Sequence, residues 1–340
     1  MLSINKHKIY KNVLLTNEGE SGEPMEENRR KRPRRKKTGL KIFLTILLVG
    51  LGGIFIYLWN VYSHVDKATE KVYESVEVNP IRGNAIVLDN EEPISILLLG
   101  VDTGDLGRVE QGRTDSMMVA TINPATKKSV LMSIPRDTYT EMVGYGTMDK
   151  INHAYAFGGI SMAINSVQNL LDIPIDYYVA VNMAGIKEIV DAVGGVDVVS
   201  PLTFSTEGYQ FYAGETTHMD GEMALAFARM RYDDPQGDTG RQERQRLIIE
   251  GVIDEAISPK TLLNYQKILS SLSNNVQTNF QMSDYMELQS NQYLSAAGNI
   301  VSEQIGGSGY TAEDGVWYHF IPDEELARVQ TLLREELELD

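Results

Sequence analysis

The chain has 340 residues and no cysteine, which excludes a disulfide framework and thiol chemistry, so a stable exported domain must rest on its hydrophobic core. It has no internal repeat, which excludes a solenoid. Net positive charge is confined to one end. Residues 1–41 carry twelve Lys and Arg against five Asp and Glu, a net of +7, while the remainder carries 19 against 42, a net of −23. A nucleic-acid partner is excluded for that acidic part, because affinity for duplex comes mainly from neutralising phosphates with a basic surface.

One long apolar run is present. Ile42 to Trp59 is eighteen positions without a charge; at about 1.5 Å per residue it covers about 27 Å of hydrocarbon, enough for a transmembrane helix. Arg29 to Lys37 places eight basic residues in nine just before it, which holds that side in the cytoplasm and touches anionic headgroups. A cleaved signal peptide is the competitor, but its apolar core would be shorter and nearer the start, and no small-x-small pair follows Trp59. The expected layout is a cytoplasmic tail at 1–41, an uncleaved anchor at 42–59, a polar stalk at 60–93, a folded part at 94–257 and an extension at 258–340 packed on it. An anchored outward domain without disulfides fits a Gram-positive cell surface.

The folded part reads as α/β. Ile94–Leu99, Ser116–Ile122, Ser129–Ile134, Tyr177–Val181 and Val196–Val199 are short apolar or alternating runs expected as strands, the second and third as a hairpin. Gly159–Leu171, Gly185–Val193, Asp220–Ala228 and Gly240–Ile257 have helical spacing. The expected fold is a mixed central β-sheet sandwiched by helices. After Pro259, stretches at 260–273 and 283–300 read as amphipathic, followed by a Gly-rich break, a strand-like VWYHFIP and an acidic helix. That tail shows no chemistry of its own and is expected to pack and close the domain.

The chemistry concentrates in RMRYDDPQGDTGRQERQR, Arg229 to Arg246, five arginines in an acidic chain. Guanidinium groups match phosphate oxygens two at a time, so the segment points to a pyrophosphate site. Thr239 and Gln242 are spaced as a capping box that starts a helix beside Arg241, with Gln245 four residues on and Arg244 close by. Arg229 and Arg231 are expected on an extended exit that aims both at the site. The alternative is a solvated helix with pairs such as Glu243 and Arg246. A second patch holds Asp102, Arg113, Asp115, Arg136 and Asp137. Asp102 follows a buried strand, where open α/β sheets place ligands, and with Asp115 it would suit Mg²⁺ shared with phosphates; lone Asp residues at strand ends more often cap turns.

Taken in order, GVDTGDLGRVEQGRTDSMMVATINP, SIPRDTY, KINHAYAFGG and FARMRYDDPQGDTGRQERQR resemble the blocks of the LytR-CpsA-Psr family over residues 94–257. That resemblance implies an α/β sandwich with an apolar polyprenyl channel, without the carboxyl-terminal extension some members carry. It also implies a membrane-anchored phosphotransferase. Such enzymes move an anionic glycopolymer, wall teichoic acid or capsular polysaccharide, from undecaprenyl pyrophosphate to peptidoglycan. Carried over by position, Asp102 and Asp115 are the Mg²⁺ ligands. Arg113, Arg136, Arg229, Arg231 and Arg241 are the pyrophosphate clamp with Gln245 beside it, and Lys150 and Asp238 fall on motif positions. The attacking hydroxyl needs a base or a solvent relay, and Asp137 and Asp238 are the candidates for the base. The competing functions are a polyprenyl-pyrophosphate phosphatase and a membrane-bound regulator of envelope genes.

Overall fold

The structure, a computed structural model, describes residues 76, 81–82, 86–102, 112–256, 258, 275–281, 283–284, 287–288 and 292–339. The basic tail, the apolar run at 42–59 and most of the 60–93 stalk lie outside the described residues. Among the described residues no helix is long and apolar enough to cross a membrane.

After a 3₁₀ turn at Leu88–Asn90, β1 (Ile94–Val101) runs through the centre of the sheet. Its continuous apolar run is what a strand covered on both faces requires. β2 (Thr114–Asn123) and β3 (Lys128–Ser133) form the expected hairpin. The Asn123 side chain accepts from the N–H groups of Ala125 and Thr126 and so fixes the turn. A small hairpin, β4 (Tyr139–Met142) and β5 (Thr147–Lys150), precedes α1 (His153–Leu171). α1 starts before the expected Gly159 and breaks at Gly158 and Gly159, whose backbones leave helical geometry.

Next come β6 (Tyr177–Asn182) and α2 (Met183–Val193), capped by the Asn182 side chain accepting from Gly185 N–H at 2.8 Å. β7 (Val196–Val199), β8 (Phe204–Thr206), β9 (Tyr209–Phe211) and β10 (Thr216–Met219) lead to α3 (Gly221–Arg229). Asp220 caps α3 by accepting from Met223 N–H at 2.9 Å. α4 spans Asp238–Ala256. Then follow β11 (Val276–Thr278), α5 (Tyr293–Ala297), β12 (Ile300–Gln304), β13 (Ser308–Thr311), β14 (Trp317–Phe320) and α6 (Asp323–Glu336).

The main sheet has the order β11-β6-β1-β2-β3-β12 and is mixed, with β6 parallel to β1, β12 parallel to β3 and the other pairs antiparallel. Alternation sorts the side chains. Leu97, Leu99, Met117, Val119, Val130 and Met132 face α1 and α6, while Ile94, Ile96 and Tyr177 face Leu88, Phe280 and Tyr293. A separate cluster joins α2, α3 and α4 to β7 and the β8–β9 hairpin through Val190, Val196, Phe211, Phe227 and Ile248. Both edge strands come from the 258–340 tail. The amphipathic stretch expected at 283–300 is not one helix, because α5 ends at Ala297 and β12 begins at Ile300, an edge strand whose exposed Val301 and Ser302 blur its apolar pattern.

Candidate functional site

β1, β3 and β12 run in the same direction, so their carboxyl ends and the start of β2 lie along one edge of the sheet. Asp102 follows β1, the Pro135-Arg136-Asp137 loop follows β3, and Ile305-Gly306-Gly307 follows β12. This is where an open α/β sheet leaves room for a ligand. Between Gly100, opposite Ser116, and Val101, opposite Thr114, the register shifts and leaves Asp115 as an extra residue. Such a bulge re-aims its side chain. Here it carries Asp115 to Arg136, whose Nη1 donates to Oδ1 at 2.5 Å.

Arg136 lies among three carboxylates: besides Asp115, its Nε is 3.6 Å from Asp137 Oδ2 and 3.7 Å from Asp238 Oδ1. Lys150, at the end of β5, holds the other oxygen of Asp137 at 2.9 Å. Arg241, in the first turn of α4, is 2.6 Å from Asp238 Oδ1 and reaches the Asp115 carbonyl at 3.5 Å. Burial works against the charge on Arg136, but Asp238, Asp115 and Asp137 outweigh it and hold its pKa above the ordinary value. For Arg241 burial wins, with Arg136 and Arg231 adding repulsion, and its pKa falls. Both stay charged. Arg241 is therefore a buried cation incompletely compensated by protein, and an arriving anion would supply the rest. Buried Nε atoms of Arg136 and Arg241 and Oε1 of Gln245 have no hydrogen-bond partner among the described residues, each a position where a ligand contact would offset a desolvation cost.

The structure thus brings together Arg136, Arg231, Arg241, Lys150, Asp115, Asp137 and Asp238. Arg231 enters after α3, because Met230 leaves helical geometry at ψ 133° and the chain turns extended. Arg229 is half-buried in the last turn of α3, and Arg113 is exposed, its carbonyl accepting from Asp102 N–H at 2.9 Å. That bond ties Asp102 to the amino-terminal end of β2, next to Asp115. Among the described residues no group of three or more His, Asp or Glu could enclose a metal. Two carboxylates at one sheet edge suit an ion such as Mg²⁺, which takes one or two protein oxygens and completes its shell from phosphates.

Three expectations are corrected. Thr239 and Gln242 form no capping box: α4 starts at Asp238, and Gln242 Nε2 donates to Asp238 Oδ2 at 3.0 Å, so Gln242 steadies the carboxylate that meets both site arginines. Arg244 belongs to no anion site. It is fully buried, donating to the Phe227 carbonyl at 3.1 Å, to the Met230 carbonyl and to Asp234, 5.3 Å over the Phe204 ring. Arg246 lies 3.8 Å from Glu250 one turn on, not beside Glu243. In the first turn of α4, a Cβ on Gly240 would meet Asp234 Oδ2 at 2.0 Å. Glycine there admits the carboxylate that holds Arg244.

The tail also contributes chemistry. A cavity of about 340 Å³ beside the cluster is lined by Asp137, Asp238, Thr239 and Gln242 on one side and by Gln304, Gly306, Trp317 and His319 on the other. Its wall mixes these polar groups with Pro135, Ile305 and Trp317 and is not the wholly apolar channel expected from the resemblance. His319 was hidden in VWYHFIP because nothing in a lone histidine on a strand marks it.

Residues 55–335 match the LytR_cpsA_psr family, more than the 94–257 span of the motifs, because the tail completes the sheet without carrying polar motifs. A protein of Enterococcus faecalis named polyisoprenyl-teichoic acid–peptidoglycan teichoic acid transferase TagU is 46% identical over 299 residues, 88% of this chain and 95% of that protein. The Bacillus cereus protein of the same name is 45% identical over 298 residues, 87% of this chain and 95% of that one. Among solved structures, B. subtilis TagU aligns with a TM-score of 0.59 at 36% identity, covering 73% of this chain and 98% of that one. TagT bound to LIIa-WTA aligns with a TM-score of 0.64 at 27% identity, covering 77% and 97%. A match to nearly the whole chain, with the family's motif residues gathered at one sheet edge, makes this protein a member of the LytR-CpsA-Psr family.

Proposed function

We propose that this protein is a phosphotransferase that attaches an anionic glycopolymer, teichoic acid above all, to peptidoglycan. The donor is the polymer on undecaprenyl pyrophosphate, the enzyme is held to the membrane by residues 42–59, and Mg²⁺ assists. The observation that carries this reading is the convergence of Arg136, Arg241 and Arg231 at the carboxyl ends of β1 and β3, with Arg241 left short of compensating charge. The relatives' names supply the polymer and acceptor.

Phosphoryl transfer is mainly positioning and charge neutralisation. Arg136 and Arg241 are preorganised by Asp115, Asp137 and Asp238, so their forks meet the diphosphate without paying to order long side chains. Arg231, exposed at the rim, adds charge as the diphosphate enters. Asp102 and Asp115 would hold Mg²⁺, which would supply charge neutralisation on the phosphate oxygens when bound. Partly buried Leu98, Ala120, Ile122 and Val179 on the sheet face opposite α1 offer an apolar surface for the polyprenyl chain.

The test is transfer by the purified full-length protein from lipid-linked polymer to peptidoglycan, read as phosphorylated muropeptides by mass spectrometry. Wild type should transfer, chelation should suppress transfer, and Arg136→Ala should lower the rate about 10²–10³-fold, the cost of one preorganised donor to developing charge. Free polymer with unmodified muropeptides would assign a pyrophosphatase instead.

A further inference from the structure

We infer that His319 is the acceptor-side base: its Nε2 takes the proton of the attacking peptidoglycan hydroxyl. The inference rests on the transfer reading above and assigns a step that the arginine cluster cannot perform.

The cavity beside the arginines has three titratable groups in its wall, Asp137, Asp238 and His319. Both carboxylates are committed. Asp137 has Oδ1 on Lys150 at 2.9 Å and Oδ2 3.6 Å from Arg136. Asp238 has Oδ1 on Arg241 at 2.6 Å and Oδ2 accepting from Gln242 at 3.0 Å. These oxygens orient cations. The buried Nε2 of His319 lacks a hydrogen-bond partner among the described residues, as Asp238 Oδ1 does, but unlike that oxygen it stands in no ion pair, and a buried polar atom left in that state calls for an explanation.

Its position is fixed by backbone. The His319 N–H donates to the Asp137 carbonyl at 2.9 Å, and His319 pairs with Thr138 in a parallel bridge, so β14 is fastened to the loop that carries Arg136. Two-residue alternation puts Trp317 and His319 on the same side of β14, both in the cavity wall. Tyr318 and Phe320 turn the other way, onto Tyr139 at ring separations of 4.9 and 5.3 Å. Trp317 is 44% exposed and gives the mouth a flat apolar face, suited to a sugar ring. Gly307 leaves the ring its place: a Cβ there would lie 2.5 Å from Nε2.

The ring is also in the right protonation state. Burial pulls its pKa below the ordinary 6.5 and outweighs the Gly306 backbone, Asp137 and Asp238, which all favour the cation. It is therefore neutral at pH 7 and open to a proton. In the step, the hydroxyl O–H breaks with its proton passing to Nε2, the oxygen bonds to the polymer-proximal phosphorus, and the bond from that phosphorus to the bridging oxygen breaks. The electron pair leaves on undecaprenyl phosphate.

The experiment measures transfer against pH for the full-length wild type, His319→Gln and His319→Gly, with binding of lipid-linked donor measured in parallel. General-base catalysis contributes about 10²–10⁴-fold, so His319→Gln should lose kcat by at least about 100-fold while donor affinity stays unchanged. Wild-type kcat should fall on the acid side through an apparent pKa below 6.5, a limb absent from the variant's residual rate. Added imidazole should restore transfer to His319→Gly, a rescue that a packing role would not give. A variant with wild-type kcat and an intact acid limb overturns the inference, as does a wild-type rate flat down to about pH 5, which decides the matter even if both variants lose donor binding. A wild type that transfers nothing at any pH instead refutes the phosphotransferase reading.

Discussion

Replacing Arg244 with Leu tests whether this arginine is a brace or a ligand group. In the folded protein Arg244 is fully buried and donates to Asp234, whose side chain is 4% exposed, and to the carbonyls of Phe227 and Met230. Leucine fills part of the volume but leaves a buried carboxylate and two carbonyls without their donor. Breaking a buried ion pair on one side costs about 3–5 kcal/mol. At about 2–4 °C per kcal/mol for a domain of about 150–250 residues, Tm should fall by about 6–20 °C. The assay is thermal unfolding of Arg244→Leu, Asp234→Leu and the double variant. Because each single change strands the other partner, the double variant should be well above the sum of the two losses in stability, a coupling of at least about 1 kcal/mol. A single variant within about 2 °C of wild type, or strict additivity, would refute the brace and return Arg244 to the anion site.

Arg241→Lys keeps the charge but loses the planar fork, so donor affinity should fall by about 10- to 100-fold, the worth of a charged hydrogen bond of about 1.5–3 kcal/mol, with Tm little changed; titration of lipid-linked donor reads it. Gly240→Ala should destabilise by about 1–3 kcal/mol by pushing its Cβ onto the Asp234 carboxylate, measured by urea unfolding, and should add little in an Arg244→Leu background. Glu325 is held down to about 2, first by Arg328 and then by the Gly306 N–H. Its folded pKa is depressed from 4.5, so its stabilisation is complete above that value and is lost as pH falls toward 2. Glu325→Gln should therefore flatten the acid limb of stability, and an unchanged limb would show that this contact contributes nothing.

Strong periodicity was legible. The runs at Ile94–Leu99 and Tyr177–Val181 became adjacent parallel strands, and Ser116–Ile122 with Ser129–Ile134 became the hairpin. Short or half-exposed strands were not: β4, β5, β8, β9, β11 and β12 have three to five residues and take their partners from far along the chain or across tight turns. Residue type pointed to Arg136, Arg241 and Asp115 as candidate site residues because few other residues do that chemistry, and the resemblance added Asp238. Type alone could not separate Arg244 and Arg246 from Arg231 and Arg241, since all four share one arginine-rich segment.

The sequence by itself determined the charge division, the central apolar strands, the family and which arginines are candidates for the proposed diphosphate site, since these follow from composition and from local order along the chain. Only the tertiary structure decided that Arg244 points into the core, that a bulge turns Asp115 to Arg136, and that β14 delivers His319 to Asp137 from 182 residues downstream. Each of these depends on which backbone segments hydrogen-bond across long separations, and side-chain direction is fixed only once that pairing is made.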